Sequence, residues 1–416
     1  MIRSRFTYTL LLYVLLPQAL LHLLWRARRQ PAYLEHVAER FGRYGIAAQK
    51  PLIWVHAVSV GETRAAEPLI DALQRKYPHH RILLTHMTPT GRETGESLFG
   101  GRVLRCYLPY DFPFAVRRFL DHFRPVCGIL LETEIWPNLI HACHVSNTPV
   151  YLVNARLSDK SFRRYRRFGA LAAATLRELR AIAAQGQTDA ARLQALGATA
   201  VETTGNLKFD IVPDPGMVAR GVVWREAYGK SRPVLLAAST REGEEALLLQ
   251  ALRGIDVQEL LTVIVPRHPQ RFDEVAALLE RERVPFQRRS ANQRIAAATR
   301  VVLGDSMGEM FAYYAVCDVA IIGGSLLPFG AQNLIEACAV GRPVIIGAHT
   351  YNFAEATQCA IDAGAALQVA DARGALAAAT ELLRDPVRLR CMAQAGLDFT
   401  RGHQGATVKV VNLIKF

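Results

Sequence analysis

The chain opens on an apolar run, Phe6 to Trp25, that carries no charged side chain and is flanked by Arg3 and Arg5 before it and by Arg26, Arg28 and Arg29 after it. Its length just suffices to cross a bilayer, and it lacks a small-x-small cleavage signal, so an uncleaved anchor over residues 1–30 is expected rather than a removed leader. Pro17, Gln18 and His22 interrupt the run, while Tyr8, Tyr13 and Trp25 suit a headgroup boundary. A spanning helix is therefore set ahead of an interfacial one, and both stay open. A soluble core helix of this length would show a polar face instead.

From Lys50 the pattern changes to short apolar runs followed by amphipathic stretches: PLIWVHAV, RILLTHM, RVLRCYLPY, VCGILLE, PVYLVNA and AIAAQ. A second series runs PVLLAAS, LLTVIVPR, TRVVLGD, VAIIGG and PVIIGA. This alternation predicts an α/β protein with two parallel sheets covered by helices on both faces. Gly and Pro break the periodicity in between, which places a linker at 206–232, a first doubly wound domain at 50–205 and a second at 233–416. The 416-residue length agrees with two domains.

Composition adds little to the fold and something to the partners. Half the residues are hydrophobic and about a fifth are charged, which is the profile of a folded globular chain. The formal charge of +13 points to an anionic partner, whether nucleic acid, anionic lipid or a phosphorylated substrate. The seven cysteines are scattered singly, without a CxxC pair or a His-rich metal spacing, so reduced thiols in a cytosolic domain are expected and no metal site is.

In open α/β sheets the ligand sits at the carboxyl ends of the strands, so the segments just after each apolar run carry the candidate chemistry. The first strand is followed by His56-Ala-Val-Ser59-Val-Gly61-Glu62-Thr63, and the fourth by Glu132-Thr133-Glu134-Ile135-Trp136-Pro137-Asn138. Each acid also fits a purely structural part, Glu62 against a helix dipole and Glu132 or Glu134 as a cap. In the second series, Pro266-Arg267-His268-Pro269 offers paired donors to a phosphate. Gly304-Asp305-Ser306-Met307-Gly308-Glu309 supplies backbone N–H groups, and Gly323-Gly324-Ser325 runs on to Gly330-Ala331-Gln332-Asn333-Leu334-Ile335-Glu336. Neither G-x-G-x-x-G nor the P-loop pattern occurs, which excludes the usual dinucleotide oxidoreductase and P-loop NTPase signatures. Arg156 to Arg167, in ARLSDKSFRRYRRF, interleaves cationic and aromatic residues and fits a lipid surface, a nucleic-acid patch or a solvated helix face.

The ordered set HAVSVGET, MTPTGRET, YLPYDFP, LETEIWPNL, NARLSDKS, GNLKFDI, PRHPQRF, GDSMGEM, GGSL, AQNLIEA and GAHTYNF resembles the Kdo transferase family, glycosyltransferase family 30, over nearly the whole chain. The resemblance implies a GT-B fold, in which two Rossmann-like doubly wound domains face a central cleft, the acceptor on the first and the nucleotide sugar on the second. It implies inverting transfer of Kdo from CMP-Kdo to the tetraacyl lipid A precursor in lipopolysaccharide core biosynthesis. It implies Glu62 as general base, with Glu132 and Lys208 stabilising the transition state. By the same resemblance Pro266, Arg267, Met307, Gly308, Glu309, Asn333, Leu334, Ile335 and Glu336 hold CMP. Many members carry Gly-Gly-His-Asn where this chain has Gly330-Ala331-Gln332-Asn333. No metal or cofactor is expected beyond the donor, and the implied partners are CMP-Kdo, the lipid A precursor and anionic lipids of the inner membrane, with the catalytic domains on the cytoplasmic side and no nucleic acid. A GT-B enzyme using a UDP-sugar and a lipid acceptor, and a basic membrane-tethered RNA-binding or scaffold protein, remain the alternatives.

Overall fold

A computed structural model describes residues 4–47, 51–254 and 259–416; Arg3 and Lys50 lie outside the described residues. The chain divides into two compact units, one comprising Met1–Ile211 with His403–Phe416 and the other Val212–Gly402.

The first unit is built on a parallel sheet of β1 (Leu52–His56), β2 (Arg81–His86), β3 (Val103–Tyr107), β4 (Cys127–Leu131), β5 (Val150–Ala155), β6 (Ala181–Ala184) and β7 (Val201–Thr203), in the order β3-β2-β1-β4-β5-β6-β7. The first five of these strands are buried almost throughout, as continuous apolar runs demand when helices cover both faces. The order reverses between β1 and β4, which puts the topological switch point between the two strands that end at His56 and Leu131. Gly128 is required in β4 by close packing, since a Cβ there would lie 2.6 Å from Cε3 of the fully buried Trp54.

The apolar run forms one helix, Arg5–Arg29, capped at its start by Ser4. Most of its large side chains, among them Phe6, Val14, Leu21 and Trp25, are exposed. The helix is nevertheless tied to the first unit. Tyr8 donates to Asp111 Oδ2 at 3.0 Å, Thr9 donates to Asn138 Oδ1 at 3.0 Å, and Tyr13 meets Phe112. Leu23 and Ala27 pack with Tyr33 near its other end.

The second unit repeats the plan with β8 (Val234–Thr240), β9 (Leu261–Pro266), β10 (Phe286–Arg288), β11 (Val301–Leu303), β12 (Val319–Ile322), β13 (Val344–Ile346) and β14 (Ala366–Gln368), all parallel, in the order β10-β11-β9-β8-β12-β13-β14. Here the order reverses between β8 and β12.

The segment read as a linker is structured. Its first part is a short turn, Leu207–Asp210, within the first unit, and its second part is a helix, Pro215–Tyr228, within the second. Pro215 starts that helix at the position where a missing N–H costs nothing, with Asp214 capping Gly216 N, so the proline marks a beginning and not a break. The terminal segment, included by sequence in 233–416, belongs to the first unit: Ala406, Val410, Val411 and Ile414 enter the core beside Leu69, Leu73 and Leu207.

Candidate active site

The β1–helix junction presents Glu62 in the first turn of Val60–Ala65, a helix capped by Ser59. The carboxylate folds back on that turn, accepting from Val58 N at 2.8 Å through Oε2 and from Ser59 Oγ at 3.0 Å through Oε1. The structural role foreseen at the helix start is thus present, and two of the roughly four lone-pair positions of a carboxylate remain. Burial, then the neighbouring Glu132 and, more weakly, Glu134, push the Glu62 carboxyl up to about 8, against the lowering effect of its hydrogen bonds from Val58 and Ser59. A carboxyl poised near the working pH is suited to accept a proton.

Glu132 follows β4 in the left-handed region, φ 58°, an unfavourable conformation for a residue with a Cβ. Its backbone N–H is tied to Val153 O, and its Oε1 accepts from Lys208 Nζ at 3.0 Å. Lys208 is delivered by the turn after β7, where Asn206 caps Lys208 N and Asn154 Oδ1 accepts from Leu207 N. The structure therefore brings Glu62, Glu132 and Lys208 into one electrostatic neighbourhood at the switch point of the first sheet. Two further groups join them that sequence reasoning did not single out as a pair. Glu134 accepts from Trp136 Nε1 at 2.7 Å, and the fully buried His56 places Nε2 3.8 Å from Glu134 Oε2. The signal was available, because His56 is the last residue of the first apolar strand.

Behind this site Gly91 and Gly95 let the helix Pro89–Phe99 approach β1 and β2: a Cβ would meet Val58 O at 2.8 Å and His86 Nε2 at 2.8 Å respectively. Burial holds His86 neutral, its imidazolium form pushed down to about 3.

In the second unit the sequence-selected groups occupy three strand ends. Arg267, just past β9, donates through Nε to Gln332 Oε1 at 3.1 Å, and its own N–H donates to Thr240 O. Gln332, the point at which the sequence departs from the Gly-Gly-His-Asn pattern, thus meets Arg267 with an acceptor. After β11, Gly308 turns at φ 78° with Met307 and Gly308 exposed, so backbone groups can be approached there. The Glu309 side chain is committed to other partners: Arg220 Nη1 at 2.6 Å, Arg289 Nη2 at 3.4 Å and the Ser306 hydroxyl. Asn333 accepts from Ile335 N and donates to Glu336 Oε1 at 3.1 Å, setting the start of Ile335–Ala339. Leu334 and Ile335 have buried side chains and offer a ligand only their backbone. No cluster of three or more His, Cys, Asp or Glu side chains suited to a metal ion occurs among the described residues.

Comparison with solved structures bears out the class. A glycosyltransferase from Rickettsia africae ESF-5 superposes with a TM-score of 0.60 at 13% identity, over 88% of this chain and 98% of its own. UDP-GlcNAc 2-epimerase from Neisseria meningitidis bound to UDP-GlcNAc does so with a TM-score of 0.60 at 16% identity, over 87% and 99%. Two Rossmann-like domains with these neighbours are the GT-B fold. Residues 35–211 match the family model for 3-deoxy-D-manno-octulosonic-acid transferase (kdotransferase). The 3-deoxy-D-manno-octulosonic acid transferase of Bordetella pertussis is 46% identical over 99% of both chains. That of Haemophilus influenzae is 38% identical over 99% of this chain and 98% of its own. The chain belongs to the Kdo transferase family and is a glycosyltransferase.

Proposed function

We propose that this enzyme transfers Kdo from CMP-Kdo to a hydroxyl of the tetraacyl lipid A precursor, with inversion at the anomeric carbon and without a metal. The observation that carries the reading is Glu62, a half-buried carboxylate fixed at the sheet's switch point and electrostatically coupled to Glu132. A sugar hydroxyl is a poor nucleophile, and a carboxylate with raised proton affinity takes its proton as the new bond forms. One base suffices for an inverting displacement. Lys208 and Glu132 are assigned to the charge that develops in the transition state, the carboxylate opposite the cationic sugar ring and the ammonium opposite an anionic group of the donor. Pro266 and Arg267, the Met307–Glu309 turn and Asn333–Glu336 are assigned to CMP. In this assignment Arg267 supplies a side-chain donor, while Met307, Gly308, Leu334 and Ile335 supply backbone.

The first unit is assigned to the acceptor and to the membrane. Phe162 and Tyr165 of the helix Asp159–Arg166 pack inward, whereas Arg163, Arg164, Arg166 and Arg167 are exposed. The N-terminal helix engages its own unit through Tyr8, Thr9 and Tyr13 and through Leu23 and Ala27 while leaving its apolar side chains outward, which supports an interfacial position over a spanning one. An apolar helix and a basic face together suit an anionic leaflet on the cytoplasmic side.

The reading is tested by incubating the purified protein with CMP-Kdo and the tetraacyl precursor and weighing the lipid product. A mass gain of Kdo is expected, and the same assay with Glu62→Gln should show most turnover lost while CMP binding persists. A fully active variant removes Glu62 as the base, and a wild-type protein that forms no Kdo-bearing lipid removes the donor and acceptor assignment.

A further inference from the structure

The second unit contains a guanidinium that the proposed CMP contacts leave unused. Arg241 is the first residue after β8, next to the switch point with β12. Its surroundings are rigid and specific. The fully buried Glu244 accepts from Arg241 N at 2.8 Å, Gly324 N at 2.6 Å and Leu326 N at 3.0 Å, so one carboxylate clamps the loops that follow β8 and β12. Those loops are pressed together, since a Cβ on Gly323 would stand 2.4 Å from Ser239 O. The Arg241 guanidinium lies over the Phe329 ring, 4.6 Å from its centroid, and its Nε donates to Glu242 Oε2 at 3.0 Å. The side chain keeps 26% of its surface exposed. Among the described residues its side-chain hydrogen bonding is confined to Nε and Glu242.

Arg241 and Arg267 lie near one another, with the Glu242 carboxylate beside Arg241. Both depress the proton affinity of His268, after burial, which shows their proximity to that ring. Gln332, which accepts from Arg267, places Nε2 at 3.2 Å from the position of a Cβ on Gly324, and Arg241 Cγ lies 3.5 Å from the same point. CMP-Kdo carries two separate negative charges, one on its phosphodiester and one on the carboxylate of the sugar. A neutral nucleotide sugar lacks the second.

We propose that Arg241 is a specificity-determining residue that binds the sugar carboxylate of the donor, leaving the phosphodiester to Arg267. The proposal rests on CMP-Kdo being the donor. A planar guanidinium backed by an aromatic ring presents its outer edge as a fork, the geometry that a carboxylate meets with two hydrogen bonds. The clamp through Glu244 fixes the Arg241 backbone, while the Phe329 ring and Glu242 orient the guanidinium through its face and its Nε. An acidic sugar is thereby favoured over a neutral one bearing the same nucleotide.

The test compares two ligands on wild type, Arg241→Ala and Arg241→Lys, each checked for an unchanged melting temperature. CMP-Kdo, generated in the assay, reports both charges; the methyl phosphodiester of CMP, used as a competitor, carries the phosphate charge alone. Arg241→Ala should raise KM for CMP-Kdo about 10- to 100-fold, the loss of a charge-assisted contact, and leave competitor affinity within about twofold. Arg241→Lys should fall between, keeping the charge and losing the fork. Equal losses for both ligands would place Arg241 at the phosphate, and no loss in the folded variants would make it a loop residue without a ligand; either overturns the proposal. Wild type that uses no CMP-Kdo at all would mark failure of the donor assignment itself. If the alanine variant does not fold, the lysine variant decides by the same ratio of the two ligands.

Discussion

Glu132→Gln should move the acid limb of the pH–rate profile toward lower pH. In the wild type, three influences raise the proton affinity of Glu62, in order burial, Glu132 and Glu134, and the result is a carboxyl near 8. The substitution leaves burial in place and removes the larger of the two charge effects. It also removes the carboxylate 3.0 Å from Lys208, so an ammonium remains beside the site without that counter-charge. Both changes favour ionised Glu62. A neighbouring charge within about 4–6 Å typically moves a carboxyl by about 1–3 units, upward when the charges are alike, which is about 1.4–4 kcal/mol in the difference between its two protonation states. The half-maximal point of kcat/KM should therefore fall from near 8 by at least about one unit. Initial rates would be followed by mass spectrometry of the lipid between about pH 5 and 10, with CMP-Kdo regenerated by excess synthetase. Maximal rate is expected to drop as well, because Glu132 is assigned to the transition state; the position of the limb and not its height is the readout. A limb that stays in place or moves up would refute either the coupling between the two carboxyls or Glu62 as the base. Stability should follow the same sign. A carboxyl raised from 4.5 in the unfolded chain to about 8 when folded stabilises the native state fully below 4.5, and this contribution is lost as pH rises to 8. Glu132→Gln should narrow that window from its upper edge.

Arg267→Ala should weaken CMP binding by about 1.5–3 kcal/mol, read by calorimetry, and unchanged affinity in a folded variant would place it outside the site. Full activity is expected in excess chelator, and activity that vanishes and returns with magnesium would count against a metal-free reaction. Removing residues 1–29 should release much of the protein from membranes. Neutralising Arg163, Arg164, Arg166 and Arg167 in that truncated protein should then lower binding to anionic vesicles more than to neutral ones, in a salt-dependent way; equal, salt-independent binding would make these arginines a solvated face. Gly128→Ala should destabilise the first unit by about 1–3 kcal/mol through the overlap with Trp54, and a melting temperature unchanged from wild type would show that the sheet relaxes around the methyl group.

The strands legible from sequence were those with long apolar runs, and their ends were legible with them, which is why Glu62, Glu132 and Arg267 were named as candidates. The unread strands, Val201–Thr203, Phe286–Arg288 and Ala366–Gln368, are three residues each and lie at sheet edges, where one side is uncovered and the apolar signal fades. Pairings across the sequence were not readable. That Lys208 lies 3.0 Å from Glu132 is set by Asn154 holding Leu207, a contact between residues 53 apart. Arg241 follows β8 directly, but the Glu242-Gly243-Glu244-Glu245 run after it has the pattern of an ordinary helix start. Two of the three N–H groups that Glu244 gathers, from Gly324 and Leu326, depend on the return of the chain 80 and 82 residues later.

The return of the C-terminal segment to the first unit makes that unit discontinuous in sequence. Helix Ala406–Leu413 brings backbone carbonyls to Lys76 and Tyr77, and Asp210 accepts from Gly405 N and Thr407 N. A fragment ending at Ile211 would therefore expose Leu69 and Leu73 and leave the Asp210 carboxylate without these donors, whereas Val212–Gly402 is an unbroken stretch with its own core. During synthesis the first unit cannot complete its core until residues 403–416 leave the ribosome, after the whole of Val212–Gly402 has been made. The natural piece to express alone is Val212–Gly402, while Met1–Ile211 and His403–Phe416 belong together.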